Sequence, residues 1–426
     1  MTQHPEMPAP RTSSLNAVRL RYAPAACVVL VALNILLFSV WLWMNHNSPR
    51  QDNGRYPELQ ELQQKGALPD PFTFFRDLAR KKGGRYAFEI LKRAPIPPGT
   101  DMHLLGHTVG DELYKQEGAE GIQICTQDFR NACSHSIVVG LFQDKREAAL
   151  DEISEACRRA PGGKGAYTMC FHGLGHGILA AVGYDLAKAV SICQKTSKTQ
   201  QDSWSESSQC ISGTVMEIVG GGFHNRGLWE KQRKKYLSRA QPLLPCANEL
   251  IPPDARPLCY SYLTPHLLES SGADLGKPAP QDFERAFLLC DDIPRRETLN
   301  RHECYGGFGK EFVVLVKDRD IRTVADMSDV QLSTIYQWCL LGKHREGIDA
   351  CLFSTLQSLY WGGENDRNTS IQFCRLMPNI NQSTICFTHL MGSVAFYIND
   401  ESYRAAFCQE LPDQYRPDCR ARLLPQ

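Results

Sequence analysis

Residues 186–216 read LAKAVSICQKTSKTQQDSWSESSQCISGTVM, and this stretch shows the pattern that decides the fold. An apolar helical segment ends in Cys193, a mostly polar stretch of sixteen residues follows, and Cys210 opens the next apolar segment. The same arrangement of two cysteines recurs after residue 120. The pairs are Cys125/Cys133, Cys157/Cys170, Cys193/Cys210, Cys246/Cys259, Cys290/Cys304, Cys339/Cys351, Cys374/Cys386 and Cys408/Cys419.

The second cysteine of each pair recurs every 33 to 49 residues, which is a period typical of stacked helical hairpins. A helix of about a dozen residues is predicted after each of these cysteines, from apolar positions three to four apart. A second short helix then leads into the next cysteine, as in residues 186–193, 283–290 and 403–408. We therefore predict an all-α fold, an αα-hairpin solenoid of about eight repeats. Each disulfide would clamp the end of one hairpin to the start of the next.

Cysteine usage also indicates the compartment. The chain has 17 cysteines, of which all but Cys27 follow residue 120, and it contains no C-x2-C motif. The missing motif argues against zinc ribbons, thioredoxin-type dithiols and haem attachment. Disulfides persist in the bacterial periplasm or in a eukaryotic secretory lumen, so we expect residues after the N-terminal region to be extracytoplasmic.

An uncharged apolar segment, residues 23–44, is long enough to cross a bilayer and ends near Trp41 and Trp43. Arginines precede it, which predicts a cytoplasmic N-terminus. A cleaved signal peptide is the alternative, but no small-x-small site follows the segment. The predicted organisation is a cytoplasmic tail (1–22), a transmembrane anchor (23–44), a linker (45–70) and an extracytoplasmic αα-repeat domain (71–426).

The repeated segments begin alike, as in Cys170-Phe-His-Gly-Leu-Gly-His and Cys304-Tyr-Gly-Gly-Phe-Gly-Lys. A resemblance to a known family covers roughly residues 85–419. The layout resembles the Sel1-like, tetratricopeptide-related repeats of secreted bacterial cysteine-rich proteins. The C-x7-C spacing usual there occurs only at Cys125/Cys133. The resemblance implies a right-handed αα-solenoid that acts as a binding module, and it implies no enzyme.

Five of the twelve histidines recur at two positions in three successive segments: His103, His107, His135, His172 and His176. Two of the segments carry H-x3-H, which places both imidazoles on one helix face. Asp111 extends the first pair by a further turn, as a metal ligand or as a group that orients one. Nitrogen donors with some oxygen suit zinc, iron or copper. The alternative is a repeated packing role for the histidines.

Spacing limits how these histidines can share an ion. Neighbouring helices pack about 8–10 Å apart, so the first and third would lie roughly 16–20 Å apart. Two sites that share His135, or a dinuclear site, fit that separation more easily than a single ion. Glu217 and Glu311 fall at another helical phase, and we expect them to form an ordinary polar edge.

The sequence supports two candidate functions. The first is a membrane-anchored metalloprotein, hydrolytic or oxygen-activating, whose concave face receives the substrate. The second is a scaffold that binds envelope or lumenal proteins through that face, with structural histidines. Lys+Arg and Asp+Glu both number 47, which gives no reason to expect a nucleic acid partner. The motifs G-x-S-x-G and H-E-x-x-H are absent from the sequence.

Overall fold

The structure, a computed structural model, describes residues 56–65, 68, 70–97, 99–196, 205–221, 225–274, 279–320, 327–362 and 367–425. The chain divides into two compact units, Met1–Gln60 and Glu61–Gln426. The predicted tail (1–22), the predicted anchor (23–44) and residues 45–55 of the predicted linker lie outside the described residues. Among the described helices, none has both the length and the apolar character needed to cross a bilayer.

The described part of the second unit is built from α-helices joined by turns and short 3-10 segments, as predicted for an all-α fold. The helices, numbered along the chain, are α1 (Pro57–Lys65), α2 (Pro71–Lys82), α3 (Gly84–Leu91), α4 (Met102–Glu117), α5 (Asp128–Lys145), α6 (Leu150–Arg159), α7 (Gly163–Ala181), α8 (Leu186–Cys193), α9 (Glu206–Gly220), α10 (Arg226–Tyr236), α11 (Arg256–Tyr262), α12 (Thr264–Ser270), α13 (Pro280–Leu289), α14 (Thr298–Leu315), α15 (Asp329–Cys339), α16 (Arg345–Gly362), α17 (Arg367–Arg375), α18 (Ile380–Tyr397), α19 (Glu401–Glu410) and α20 (Arg416–Leu423).

The predicted cysteine pairing is confirmed for all eight pairs. Their α-carbons lie 5.4 to 5.8 Å apart, inside the range that a disulfide spans without backbone movement. The paired cysteines are 8 to 17 positions apart in sequence. Seven of the pairs tie a short α-helix or 3-10 segment to the helix that follows it, whereas Cys246 lies in a turn rather than at the end of the predicted second helix. In the chain-entropy model, closing loops of this size stabilises the fold by about 3 kcal/mol each.

Side-chain caps and glycines set the helix ends. The Asp101 carboxylate accepts a hydrogen bond from the backbone N–H of Leu104 at 3.0 Å, which starts α4. Ser205 starts α9 in the same way. Helix α2 ends at Gly83, whose φ of +95° lies in a region that favours glycine.

The longer helices pack in chain order, each against the next. Contacts run from α4 to α5, α7, α9, α11, α14 and α16, and then on to α18 and α20. Helix α18 also contacts α7, and α16 also contacts α5. The row of helices therefore curves back on itself, which brings residues from distant repeats to one enclosed space.

One segment departs from the predicted helix of about a dozen residues. After Cys259 the chain forms two short helices, α11 and α12, that meet at Leu263. The break has a local cause, because Pro265 cannot donate a backbone hydrogen bond and its ring crowds the preceding turn. Pro265 instead occupies the first turn of α12, where a proline is tolerated.

Candidate metal centre

The five predicted histidines meet at the centre of the curved row of helices, and we call them the histidine cluster. His103 and His107 lie on α4, His135 on α5, and His172 and His176 on α7. The rings of His103 and His107 are 4.7 Å apart, and those of His172 and His176 are 5.0 Å apart. Each H-x3-H pair therefore shares one helix face, as the sequence predicted.

His135 lies between the two pairs. Its ring centroid is 5.4 and 5.7 Å from those of His103 and His107. It is 5.9 Å from each of the rings of His172 and His176. His135 is 1% exposed, and neither of its ring nitrogens has a hydrogen-bond partner. His135 therefore lies beside both pairs, and whether two metal positions share it stays a prediction.

Hydrogen bonds hold both rings of the first pair. His103 Nδ1 lies 2.7 Å from the carbonyl oxygen of Phe129, which can only accept, so Nδ1 carries the proton. Ser136 Oγ lies 3.1 Å from the carbonyl oxygen of His107 and 3.0 Å from His107 Nδ1. Its hydroxyl can donate to either atom, so His107 Nδ1 is a donor in one arrangement and an acceptor in the other. The Nε2 atoms of the two rings lie 3.2 Å apart.

Hydrogen bonds to Nδ1 also hold the two rings of the second pair. His172 Nδ1 lies 2.8 Å from Ser212 Oγ, which also lies 2.7 Å from the carbonyl oxygen of Gln209. His176 Nδ1 donates to Glu217 Oε2 at 3.1 Å. The Nε2 of His176 therefore carries a lone pair and is buried without a hydrogen-bond partner, whereas the Nε2 of His172 lies 3.3 Å from Met216 Sδ.

Anchoring of Nδ1 by a carbonyl, a hydroxyl or a carboxylate is how proteins orient histidine ligands of metal ions. All four histidines of the two pairs have such an anchor. Among the described residues, His103, His107 and His135 each offer a nitrogen that lies within 4.8 Å of the other two. These three donors are spaced closely enough to hold one ion.

Burial favours the neutral form of three imidazoles of the cluster. It lowers the pKa of His103, and it lowers the pKa of His135 well below the ordinary value, with the neighbouring His103 and His107 adding to the effect. Burial likewise lowers the pKa of His172 well below the ordinary value, aided by His176 and Lys310. Neutral imidazole is the form that binds a metal ion.

Glycines allow the helices of the cluster to approach closely. A side chain at Gly173 of α7 would place its Cβ 2.4 Å from the His135 ring. At Gly175, the Cβ would lie 2.0 Å from the carbonyl oxygen of Cys210 on α9. Helix α7 therefore meets both neighbours with backbone contact at these points. The contact at Gly173 therefore brings α7 closer to α5 than ordinary helix spacing would allow.

Glu217 was misread in the sequence, where we expected an ordinary polar edge. It is 5% exposed, bonds His176 through Oε2, and accepts a hydrogen bond from Tyr184 through Oε1. Ser136, Ser212 and Met216 also touch the histidines and were not predicted. These residues lie 29 to 44 positions away in sequence from the histidines that they contact. The position of Ser136 directly after His135 was the one local feature that could have indicated a hydrogen-bond partner.

Asp111 lies on α4, one turn beyond His107, and is half-buried. It is not among the residues that line the central cavity, and the three-histidine set does not include it. Its part as ligand or orienting group stays a prediction.

The cluster forms one wall of a cavity of about 520 Å³. Residues of α4, α5, α7, α9, α11, α14, α16 and α18 line it, including Glu217 and Glu311. The expected polar edge at Glu311 is therefore wrong as well, because this side chain faces the enclosed space. A volume of this size is typical of small-molecule sites.

Two cations face the cavity beside the cluster. Arg130 lies in a left-handed turn of α5, Phe129–Asn131, in which three successive non-glycine residues have φ of +54° to +64°. Such a turn costs roughly 1–2 kcal/mol per residue, and strained backbone of this kind clusters at functional sites. The turn directs the Phe129 carbonyl oxygen towards His103 Nδ1, from which it accepts a hydrogen bond. It also brings the Arg130 guanidinium to 3.1 Å from Ser358 Oγ.

Lys310 is the second cation. Its Nζ lies 3.8 Å from the centre of the Tyr262 ring and 3.5 Å from Glu311 Oε1. The Tyr262 ring also lies 4.5 Å from the ring of His172. Lys310 is therefore connected to the histidine cluster through Tyr262. Burial lowers the pKa of Lys310 to about 8.

Comparison of the chain with protein-family models, with curated proteins and with solved structures found no match in any of the three. The resemblance to Sel1-like repeats therefore stays a prediction from the sequence. A functional proposal for this chain therefore rests on the geometry of the cavity and of the histidine cluster.

Proposed function

We propose that this chain is a membrane-anchored, extracytoplasmic αα-solenoid that binds transition-metal ions in the histidine cluster. The observation that carries the proposal is the convergence of three imidazoles, since His103, His107 and His135 each offer a ring nitrogen within 4.8 Å of the other two. The Nε2 atoms of His103 and His107 lie 3.2 Å apart. Two nitrogens bound at about 2.0 Å to one tetrahedral ion would be separated by about 3.3 Å.

The alternative at this separation is an N–H···N hydrogen bond between the two Nε2 atoms, with the Ser136 hydroxyl donating to His107 Nδ1. Such a bond joins only two of the rings and leaves both nitrogens of His135 without a hydrogen-bond partner. A metal ion is bound by several donors at once, and His135 supplies a third within 4.8 Å. The donor set of neutral imidazoles suits zinc, iron or copper.

The scaffold alternative treats the histidines as packing residues. A packing histidine normally has both ring nitrogens satisfied, since an unsatisfied buried polar group costs about 1–3 kcal/mol. His135 leaves two nitrogens without partners and His176 leaves one. Three such atoms in one cluster favour ligands over packing. A protein that never holds metal would leave the scaffold as the better account.

The cavity gives the site a place for substrate. A bound ion would act there as a Lewis acid or, if redox-active, as a centre for oxygen chemistry, which are the hydrolytic and oxygen-activating activities proposed from the sequence. Arg130 and Lys310 provide positive charge on the same wall. We propose that the substrate is a small organic anion whose carboxylate or phosphate binds these two side chains.

The eight disulfides support an oxidising compartment, and residues 23–44 supply the proposed anchor. Reporter fusions made after Arg50 and after Gln426 are both expected to report the outer compartment. A fusion before residue 22 serves as the cytoplasmic control. A reporter at Gln426 that is active in the cytosol would contradict the proposed topology.

Acid is expected to destabilise the metal-free ectodomain in a defined pH range. Burial lowers the pKa of His103, His135 and His172, so the folded protein resists protons that the unfolded chain binds below about pH 6.5. The free energy of unfolding should therefore be highest above pH 6.5. It should fall as pH drops from there towards the lowered pKa values.

Urea unfolding at several pH values measures this slope, since the disulfides remain intact in urea. The matched comparison is the His135→Gln variant, which removes one of the two most buried of the three groups and should flatten the slope. An unfolding free energy that stays constant between about pH 7 and pH 5 would show that the imidazoles are not held neutral.

A further inference from the structure

A methionine lies against the histidine cluster. Met216 of α9 places its Sδ 3.3 Å from His172 Nε2. His172 Nδ1 lies 2.8 Å from Ser212 Oγ, which also lies 2.7 Å from the Gln209 carbonyl oxygen. In the tautomer in which Nδ1 donates to Ser212, the Nε2 lone pair faces the thioether sulfur, and both atoms are free to bind a metal ion.

The separation fits two ligands of one metal ion. Bonds of about 2.0 Å to nitrogen and about 2.3 Å to sulfur, at an angle of 100–110°, place the two donors roughly 3.3–3.6 Å apart. The observed 3.3 Å lies at the lower end of that range. His172 and Met216 therefore have the spacing of a ligand pair before any metal is bound.

Two further donors are close. The His176 ring lies 5.0 Å from that of His172, and its Nε2 is buried without a partner. Glu217 holds the Nδ1 of His176, which fixes the direction of the lone pair. His135, at 5.9 Å from both rings, is shared with the first pair.

We infer that His172, His176 and Met216 form a second metal position, selective for copper(I), beside the position formed by His103, His107 and His135. This inference rests on the proposed function and deepens it by naming the ion. A thioether is a soft ligand that favours copper(I) over zinc(II), which prefers nitrogen, oxygen and thiolate.

Met216→Leu tests the inference, because leucine has a similar volume and no ligand atom. Met169→Leu is the matched control, since Met169 is also half-buried on the cavity wall. Anaerobic titration of the purified ectodomain with copper(I), against a chromogenic chelator, measures stoichiometry and affinity. X-ray absorption of the copper-loaded protein detects a sulfur neighbour.

The wild-type protein and Met169→Leu are expected to bind copper(I) with a sulfur neighbour. Met216→Leu should lose that neighbour and at least tenfold in copper(I) affinity, while zinc(II) binding at the three-histidine position is unchanged. Equal copper(I) affinity in Met216→Leu and wild type would overturn the inference. Zinc bound with no copper(I) position would overturn it and leave the proposed function standing, whereas no metal of either kind would overturn both.

Discussion

The His172→Ala/His176→Ala variant is expected to purify as a folded, fully oxidised protein that binds metal at least tenfold more weakly than wild type. Both side chains are buried at the centre of the cavity wall, and each would lose a ligand nitrogen. The fold should persist because eight disulfides, rather than the ion, tie the successive helices together. Metal analysis and circular dichroism measure the two properties separately.

His302→Ala/His389→Ala is the matched control for this variant. These two histidines flank Phe353 and do not line the cavity. Their removal should leave metal content unchanged. If the His172→Ala/His176→Ala protein unfolds instead, the histidines are packing residues. If both double variants lose metal equally, the ion is bound somewhere other than in the histidine cluster.

Gly173→Ala is expected to destabilise the protein and weaken metal binding with a single methyl group. The new Cβ would lie 2.4 Å from His135 Cδ2 and 2.8 Å from His135 Cα. A backbone atom cannot rotate away, so α5 and α7 must separate. Overpacking of this kind costs typically 1–3 kcal/mol, and the displaced His135 would no longer reach both histidine pairs.

Gly392→Ala provides the control for the glycine substitution. Gly392 lies within α18, and a Cβ there would meet nothing within 4 Å. Alanine in an open helical position should stabilise the protein by about 0.5–1 kcal/mol. Urea unfolding of both variants gives the comparison. A Gly173→Ala protein as stable and as metal-rich as wild type would show that the close approach to His135 is not required.

Much of the architecture was readable from the sequence because its signals are local. A cysteine such as Cys193 or Cys210 marks a helix end or a helix start, and a disulfide between them constrains both in space. The two H-x3-H pairs were readable for the same reason, since spacing along one helix fixes which side chains share a face.

The rest of the site depends on contacts between distant segments. Glu217 reaches His176 across 41 positions, and nothing in its own helix distinguishes it from a surface glutamate. The left-handed turn at Phe129–Asn131 contains no glycine that would signal it. The closeness of α7 and α9 depends on which glycines face each other, and a single sequence does not show that.

Metal content of the purified wild-type ectodomain tests the central claim most directly. The measurement uses inductively coupled plasma mass spectrometry after dialysis at neutral pH without chelator. We expect roughly one or two transition-metal ions per chain, lost in the His172→Ala/His176→Ala variant and retained in His302→Ala/His389→Ala. A folded wild-type protein that contains no metal, and takes up none from added zinc(II) or copper(I), would contradict the account.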